Sequence, residues 1–313
     1  MSLRAALLSF VMKHTIRKQF DQVEDVQGLR DAMASSGRLS GNVPDKVAVV
    51  PQSVDDLEMD WVTLENVDQS RVILYLHGGG YVVGTADAYR DVNWRLAEAA
   101  GCRVLFVDYR LAPEHPFPAA VEDATAAYRF LLDEGFNPEQ IAICGDSAGG
   151  GLSMALLVNL KNLGLPQPGC AMLMSPWVDL SGSGASISEY DGVDCILTAK
   201  AVHTMAEKYL GDRDRKAPLA SPLFAELSGL CPISVHVGSQ EILYSDSERL
   251  VENILAAGGK AELEVWNKMP HVFPVFAARI PEGLEALNKM ADFCKRHTSA
   301  SHEVAVESQI GYG

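Results

Sequence analysis

One stretch constrains the fold of this chain more than any other. Residues 141–151 read Ile-Ala-Ile-Cys-Gly-Asp-Ser-Ala-Gly-Gly-Gly, and a helical pattern follows over 152–161. A G-x-S-x-G between a buried strand and a helix predicts a tight, strained turn that presents Ser147 outward as a nucleophile. Gly145 and Gly149, two residues before and after the serine, must be almost free of side chain because neighbouring backbone passes over them.

The same pattern also occurs by chance as a glycine-rich turn that caps a helix, so other features of the sequence must decide whether Ser147 is catalytic. The chain has 313 residues, of which 48% are hydrophobic and 21% charged, as is usual for a globular protein. Its formal net charge of −15 disfavours binding to nucleic acid and to anionic membrane surfaces. No apolar run approaches the ~18 residues that span a bilayer, so we expect no stable membrane insertion.

The cysteines and the N-terminal residues indicate the cellular compartment of the protein. None of the six cysteines forms a C-x-x-C pair, and three lie in apolar, strand-like runs. We therefore expect reduced, buried thiols and a cytoplasmic protein. The apolar run 5–12 is only eight residues long and lacks a small-residue cleavage site, so we expect no signal peptide.

The periodicity alternates strands with helices, which predicts an α/β fold with a mostly parallel sheet and helices on both faces. The predicted strands lie at 47–50, 59–64, 71–76, 103–107, 141–144, 170–174, 233–237 and 261–266. The predicted helices lie at 2–20, 20–33, 86–100, 117–133, 152–161, 198–209, 244–257 and 282–297.

The pattern of predicted helices and strands also divides the chain into a cap, a main body and a tail. Two helices within residues 1–45 precede any strand, so we expect a cap that packs on the main body. A membrane-surface helix is the alternative, since Lys13, Arg17 and Lys18 lie on its polar face. The main body is predicted over 46–297, with an insertion at about 180–222, and 298–313 as a mobile tail.

A nucleophilic serine needs a base, and the base needs an acid that fixes its tautomer. His271 lies between the last predicted strand and the last helix, at the carboxyl end of a parallel strand, where such sheets form their sites. The acid should fall between the serine and the histidine in sequence. Glu241, at the carboxyl end of its strand, is preferred, and Asp246, at the start of the next helix, is the rival.

An oxyanion needs preorganised N–H donors. The backbone of Ala148, next to the serine, offers one, and the glycine run Gly78, Gly79 and Gly80 offers others. A phosphate-binding loop is the competing interpretation. It is disfavoured because the glycines at 78, 80 and 84 are one residue off the dinucleotide fingerprint and no P-loop motif occurs.

Three motifs together resemble one family. They are His-Gly-Gly-Gly-Tyr at 77–81, Asp-Tyr-Arg-Leu-Ala-Pro-Glu-His-Pro-Phe-Pro-Ala-Ala at 108–120 and Gly-Asp-Ser-Ala-Gly-Gly at 145–150. They resemble the hormone-sensitive-lipase-like (bacterial family IV) esterases of the α/β-hydrolase fold. The resemblance runs from about residue 47 to 297 and departs where many members have Asp-Pro-Leu and this chain has Glu-Ile-Leu at 241–243.

The resemblance implies an eight-stranded, mostly parallel sheet and a helical cap built from the N-terminal helices and the insertion after Trp177. It implies a role for His77 in orienting the glycine loop, and oxyanion donors at Gly79, Gly80 and Ala148. It further implies hydrolysis of small-molecule carboxylic esters with short acyl chains, no cofactor or metal, and a homodimer formed through an edge strand.

Two other functions remain open at the level of sequence. Some proteins of this fold keep the pocket and lose the catalytic histidine, which makes them binding proteins, whereas this chain retains Ser147, Glu241 and His271 in order. The same chemistry could also act on a lactone, an amide or an acyl-transfer substrate, because the pocket decides between them.

Overall fold

The computed structural model describes residues 1–37 and 43–299 and contains an eight-stranded sheet. The strands are β1 (Val47–Val54), β2 (Leu57–Leu64), β3 (Asp68–Leu76), β4 (Cys102–Asp108), β5 (Ile141–Asp146), β6 (Cys170–Met174), β7 (Ile233–Gly238) and β8 (Ala261–Trp266). Their order across the sheet is β1-β2-β4-β3-β5-β6-β7-β8. Strand β2 pairs antiparallel with both β1 and β4, and the remaining pairs are parallel. The predicted α/β-hydrolase architecture is therefore confirmed.

Helices cover both faces of this sheet. They are α1 (Leu3–His14), α2 (Ile16–Phe20), α3 (Val26–Gly37), α4 (Ala86–Ala100), α5 (Ala119–Asp133), α6 (Ala148–Asn162), α7 (Ser186–Glu189), α8 (Ala199–Leu210), α9 (Tyr244–Ala256) and α10 (Pro281–Thr298). Within the described ranges, none of them is both long and apolar enough to cross a bilayer.

The central strand β3 shows why the sheet is buried on both sides. Successive side chains of a strand point to opposite faces, so an apolar run of this kind fills two cores. Val72 and Leu74 join the core that contains α5, α6 and α9, whereas Ile73 and Tyr75 join the core that contains α4 and α10. The sheet is thereby fixed between two helical layers.

The N-terminal segment differs from the prediction in two places. Residues 2–20 form two helices that break at Thr15 (φ −120°, ψ −76°) rather than one. The second predicted helix begins at Val26 instead of residue 20, because the Asp25 carboxylate accepts the Gly28 N–H at 2.9 Å and caps the helix there.

The C-terminus differs as well. Helix α10 runs to Thr298, which is buried and whose hydroxyl accepts a hydrogen bond from Arg71 at 3.3 Å. Thr298, which the prediction assigns to a mobile tail, therefore belongs to α10, and residues 300–313 of the predicted tail lie outside the described part of the chain.

Candidate active site

The turn after β5 adopts the strained geometry that the sequence pattern predicts. Ser147 has φ +52° and ψ −120°, a left-handed conformation that costs a non-glycine residue free energy. A Cβ at Gly145 would lie 2.3 Å from the carbonyl oxygen of Gly149, and a Cβ at Gly149 would lie 2.0 Å from that of Leu76. Both flanking positions must therefore be glycine for the turn to close.

The structure brings Ser147, His271 and Glu241 together, although they follow β5, β8 and β7 respectively. His271 Nε2 lies 2.9 Å from Ser147 Oγ, and His271 Nδ1 lies 2.6 Å from Glu241 Oε2. All three side chains are buried. Because the carboxylate can only accept, Nδ1 carries the proton and Nε2 is free to accept one from the hydroxyl.

A fourth residue, Ser175, holds the Glu241 carboxylate and was not singled out by the sequence analysis. Its hydroxyl donates to Glu241 Oε1 at 2.7 Å and accepts the Val272 N–H at 3.0 Å. The Gly238 N–H also donates to Glu241 Oε1 at 2.7 Å. The only signal in the sequence is that Ser175 follows β6, at the carboxyl edge of the sheet where the other site residues lie.

The rival acid Asp246 occupies a different place. Its Oδ2 accepts the N–H groups of Val178 and Asp179, each at 3.0 Å, which directs the carboxylate toward this segment instead of toward His271. Burial, followed by the nearby charge of Asp179, raises the pKa of Asp246 to about 8. Asp246 therefore fixes the segment after β6.

The glycine loop after β3 requires one correction. Gly78 was expected among the oxyanion donors, but its N–H points inward to Tyr89 Oη and to Asp146 Oδ1, each at 3.0 Å. That N–H is therefore engaged in holding the loop. Gly79 and Gly80, with φ of +116° and +63°, line the pocket beside Ser147.

Two buried side chains, His77 and Asp146, support the glycine loop on the side of the protein core. His77 Nδ1 donates to Gly78 O at 2.7 Å, and its ring stacks on Tyr109 with centroids 4.2 Å apart. Burial lowers the pKa of His77 to about 4, so the ring is neutral and serves as a packing and positioning group. Asp146 accepts the hydroxyls of Tyr75 at 2.9 Å and Tyr89 at 3.0 Å in addition to the Gly78 N–H.

The charges around His271 favour its protonated form. Burial alone lowers the pKa of the imidazole, but Glu241, then Asp194 and Asp146, outweigh burial and raise it above its ordinary value. These charges would stabilise an imidazolium at this position, so the arrangement can support proton transfer from the neighbouring hydroxyl.

A pocket of about 800 Å³ opens in front of Ser147 and His271. Its apolar walls come from the N-terminal helices on one side and from the insertion between β6 and β7 on the other. These walls include Leu8, Met12 and Phe20 on the first side and Ile196, Leu197 and Met205 on the second. The pocket therefore suits a ligand with an apolar chain next to the polar group that meets Ser147.

Comparison with known proteins decides the family. A model of the alpha/beta hydrolase fold matches residues 73–275. An acetyl-hydrolase of Streptomyces hygroscopicus is 41% identical over 239 residues, which cover 76% of this chain and 80% of that protein. An esterase from the bacterial hormone-sensitive lipase family has a structure similar to this one, with a TM-score of 0.86 and 39% identity over 92% of this chain and 98% of that one.

The chain belongs to the hormone-sensitive-lipase-like (bacterial family IV) esterases. An esterase of Acinetobacter venetianus is also similar, with 36% identity over 72% of this chain and 74% of that protein. Together these relatives show that this family IV esterase is a carboxylesterase.

The support of the glycine loop can be tested with Tyr89→Phe. This change removes the hydroxyl that bonds both Gly78 N and Asp146, so the loop of the family IV esterase should lose part of its preorganisation. We expect kcat to fall by about fivefold, less than the ~10²–10³ that follows loss of an oxyanion donor itself. Steady-state kinetics on a soluble ester measures it.

Tyr128→Phe is the control, because it also removes a tyrosine hydroxyl from a core, one that makes a single hydrogen bond to Pro166 O at 3.0 Å on the opposite face of the sheet. Both variants should lose about 1 kcal/mol of unfolding free energy. Equal kcat values in the two variants would show that Tyr89 does not hold the loop for catalysis.

Proposed function

We propose that this esterase hydrolyses short- to medium-chain acyl esters through a Ser147–His271–Glu241 triad and an acyl-enzyme intermediate. The observation that carries the proposal is the unbroken chain of hydrogen bonds, 2.6 Å from carboxylate to imidazole and 2.9 Å from imidazole to hydroxyl, which ends at the apolar pocket. The acetyl-hydrolase among its relatives supports the short-chain preference.

In the first half of the reaction, Ser147 Oγ attacks the ester carbonyl while His271 Nε2 takes the hydroxyl proton. The tetrahedral oxyanion accepts hydrogen bonds from the backbone N–H groups of Gly79, Gly80 and Ala148. Ala148 lies at the N-terminus of α6, where the helix dipole also favours negative charge. His271 then gives its proton to the leaving alcohol, and the acyl group stays on the serine.

In the second half, water enters and His271 takes its proton as the oxygen attacks the acyl-enzyme carbonyl. The same N–H donors meet the second oxyanion. Collapse releases the carboxylic acid and returns the proton to Ser147. Glu241 keeps its charge throughout and stabilises the imidazolium, so every proton has a donor and an acceptor among these residues and the cycle needs no cofactor.

The proposal extends to the compartment and the assembly. All six cysteines are free and buried, which supports a cytoplasmic location.

Strand β8 lies at one edge of the sheet with β7 as its neighbour, and Val265 on β8 is exposed, which supports a homodimer through this edge. Sedimentation velocity distinguishes the dimer from the monomer.

Replacement of the nucleophile gives the most direct test. Ser147→Ala should fold normally and lose at least ~10⁴-fold in kcat, because Ser147 carries the hydroxyl that is bonded to His271 Nε2 in the pocket. The measurement is hydrolysis of a p-nitrophenyl ester series from acetyl to palmitoyl, in which wild type should peak at the shorter chains.

Ser153→Ala provides the control, since Ser153 is a buried serine on α6, the helix that follows Ser147, and its hydroxyl donates to Gly149 O at 2.7 Å within that helix. It should keep near wild-type turnover. Wild-type activity in Ser147→Ala would refute the mechanism, and a peak at palmitoyl would refute the chain-length preference.

The acid can be assigned by comparing two isosteric variants. Glu241→Gln keeps the shape of the side chain but loses the charge that fixes and stabilises His271, so we expect kcat to fall by about 10²–10⁴-fold. Asp246→Asn removes the rival carboxylate, which is bonded to Val178 and Asp179, and should leave kcat within about twofold. The reverse ranking of the two variants would move the acid to Asp246.

The pH profile follows from the environment of His271. The base acts only while neutral, and its pKa is raised above the ordinary value of 6.5. As the pH falls, kcat/KM should therefore decline with a midpoint above 6.5. A rate that stays constant down to about pH 5 would be incompatible with a histidine base in this setting.

A further inference from the structure

A buried carboxylate outside the proposed triad joins the pocket wall to the triad acid. Asp194 lies in the loop between α7 and α8, within the insertion that separates β6 from β7, and is fully buried. Its Oδ1 accepts the N–H groups of Ile196 at 2.8 Å and Leu197 at 3.0 Å, two residues that line the pocket. Its Oδ2 accepts the Ile242 N–H at 3.0 Å, and Ile242 directly follows Glu241.

The same loop is held from the N-terminal side of the pocket. The Arg17 guanidinium on α2 donates to the carbonyl oxygen of Asp194 and to that of Asp191, the latter at 2.6 Å. Lys13 Nζ on α1 donates to Gly192 O at 3.0 Å. Helices α1 and α2 also supply one wall of the pocket, so both walls meet at this loop.

These contacts form a continuous path from the cap to the catalytic base. It runs from Arg17 to the backbone of Asp194, through the Asp194 carboxylate to Ile242 N, and from Glu241 to His271. Three buried backbone N–H groups that share one carboxylate leave it little freedom, and an unsatisfied N–H at this depth costs about 1–3 kcal/mol.

We propose that Asp194 is a positioning residue that fixes Glu241 against His271 and, with Arg17, connects both pocket walls to the triad. The proposal rests on the function proposed above and adds two residues to it. Its consequence is that loss of the bond from Asp194 to the Ile242 N–H lowers kcat more than it raises KM. The acid then shifts relative to the base, while the bonds to Ile196 and Leu197 still hold the pocket wall.

The charge of Asp194 provides a second readout. The charged groups that face His271 are Glu241, Asp194 and Asp146, and all three raise the pKa of the imidazole against the effect of burial. Asp194 itself is faced by His271, Glu241 and Cys195. Removal of its charge should therefore lower the pKa of His271, an effect that a purely structural defect elsewhere does not produce.

Asp194→Asn is the test. The amide oxygen can still accept the N–H groups of Ile196 and Leu197, but the amide NH₂ then faces the Ile242 N–H, donor against donor. We expect kcat on a short ester to fall by about tenfold with KM changed less than about threefold. The pKa of His271, measured by NMR titration of histidine-labelled protein, should fall, and the acid limb of kcat/KM should move to lower pH.

Asp246→Asn is the matched control. Asp246 is another fully buried aspartate that accepts two backbone N–H groups, each at 3.0 Å, yet it bonds the segment 178–179 and not the residue beside Glu241. It should leave both kcat and the pKa of His271 as in wild type. If both variants behave alike, Asp194 is a structural residue only and the proposal fails.

Arg17→Met and Arg17→Lys keep the proposal testable if Asp194→Asn does not fold. Arg17 is not part of the pocket lining and bonds the loop through backbone oxygens. Arg17→Met should lower kcat, and Arg17→Lys, which can still donate to one carbonyl, should restore part of it. Unchanged kcat in Arg17→Met would overturn the role of Arg17.

The NMR titration does not depend on turnover, so the two proposals fail in different ways. An inactive wild type would refute the proposed function, and the pKa of His271 in Asp194→Asn and Asp246→Asn would still decide whether Asp194 acts on the base. An active wild type with unchanged kcat and pKa in Asp194→Asn would refute the inference alone.

Discussion

The site depends on the backbone of a single residue, Ser147, which holds φ +52° between β5 and α6. Such a conformation persists only where the surroundings fix it. Here the Ser147 N–H donates to Met174 O at 2.8 Å, and its carbonyl oxygen accepts from Gly151 at 3.0 Å and from Trp177 at 2.9 Å. The strand, the helix and the neighbouring loop thus hold the turn from three directions, and the hydroxyl is aimed at His271.

The second constraint is the burial of carboxylates at the same edge of the sheet. Ionised groups are costly to bury unless hydrogen bonds replace the lost water. Glu241 is satisfied by Ser175, Gly238 and His271, Asp146 by two tyrosine hydroxyls and the Gly78 N–H, and Asp194 by three backbone N–H groups. The hydrogen bonds that offset the cost of burying these carboxylates also fix the loops after β3 and β7. The same interactions therefore stabilise the charges and position the loops.

Local patterns predicted the elements well wherever local chemistry decides them. The helix over 86–100 and the strands at 170–174 and 261–266 match the structure at both ends. Two of the mismatches have a visible cause: the Asp25 side chain caps a helix in a way that periodicity does not register, and a distant residue bonds the end of α10. Thr298 belongs to α10, and its hydroxyl bonds Arg71, which is 227 residues away.

The sequence by itself determined the fold class, the elbow at Ser147 and the order in which Glu241 and His271 follow it, because strand–turn–helix spacing and steric limits on glycine act over a few residues. Only the tertiary structure decided that the Gly78 N–H donates inward, that Ser175 bonds Glu241 and that Asp194 bonds the Ile242 N–H. Those contacts join residues 48–68 positions apart in the chain, and no local pattern records which loops meet at the carboxyl edge of a sheet.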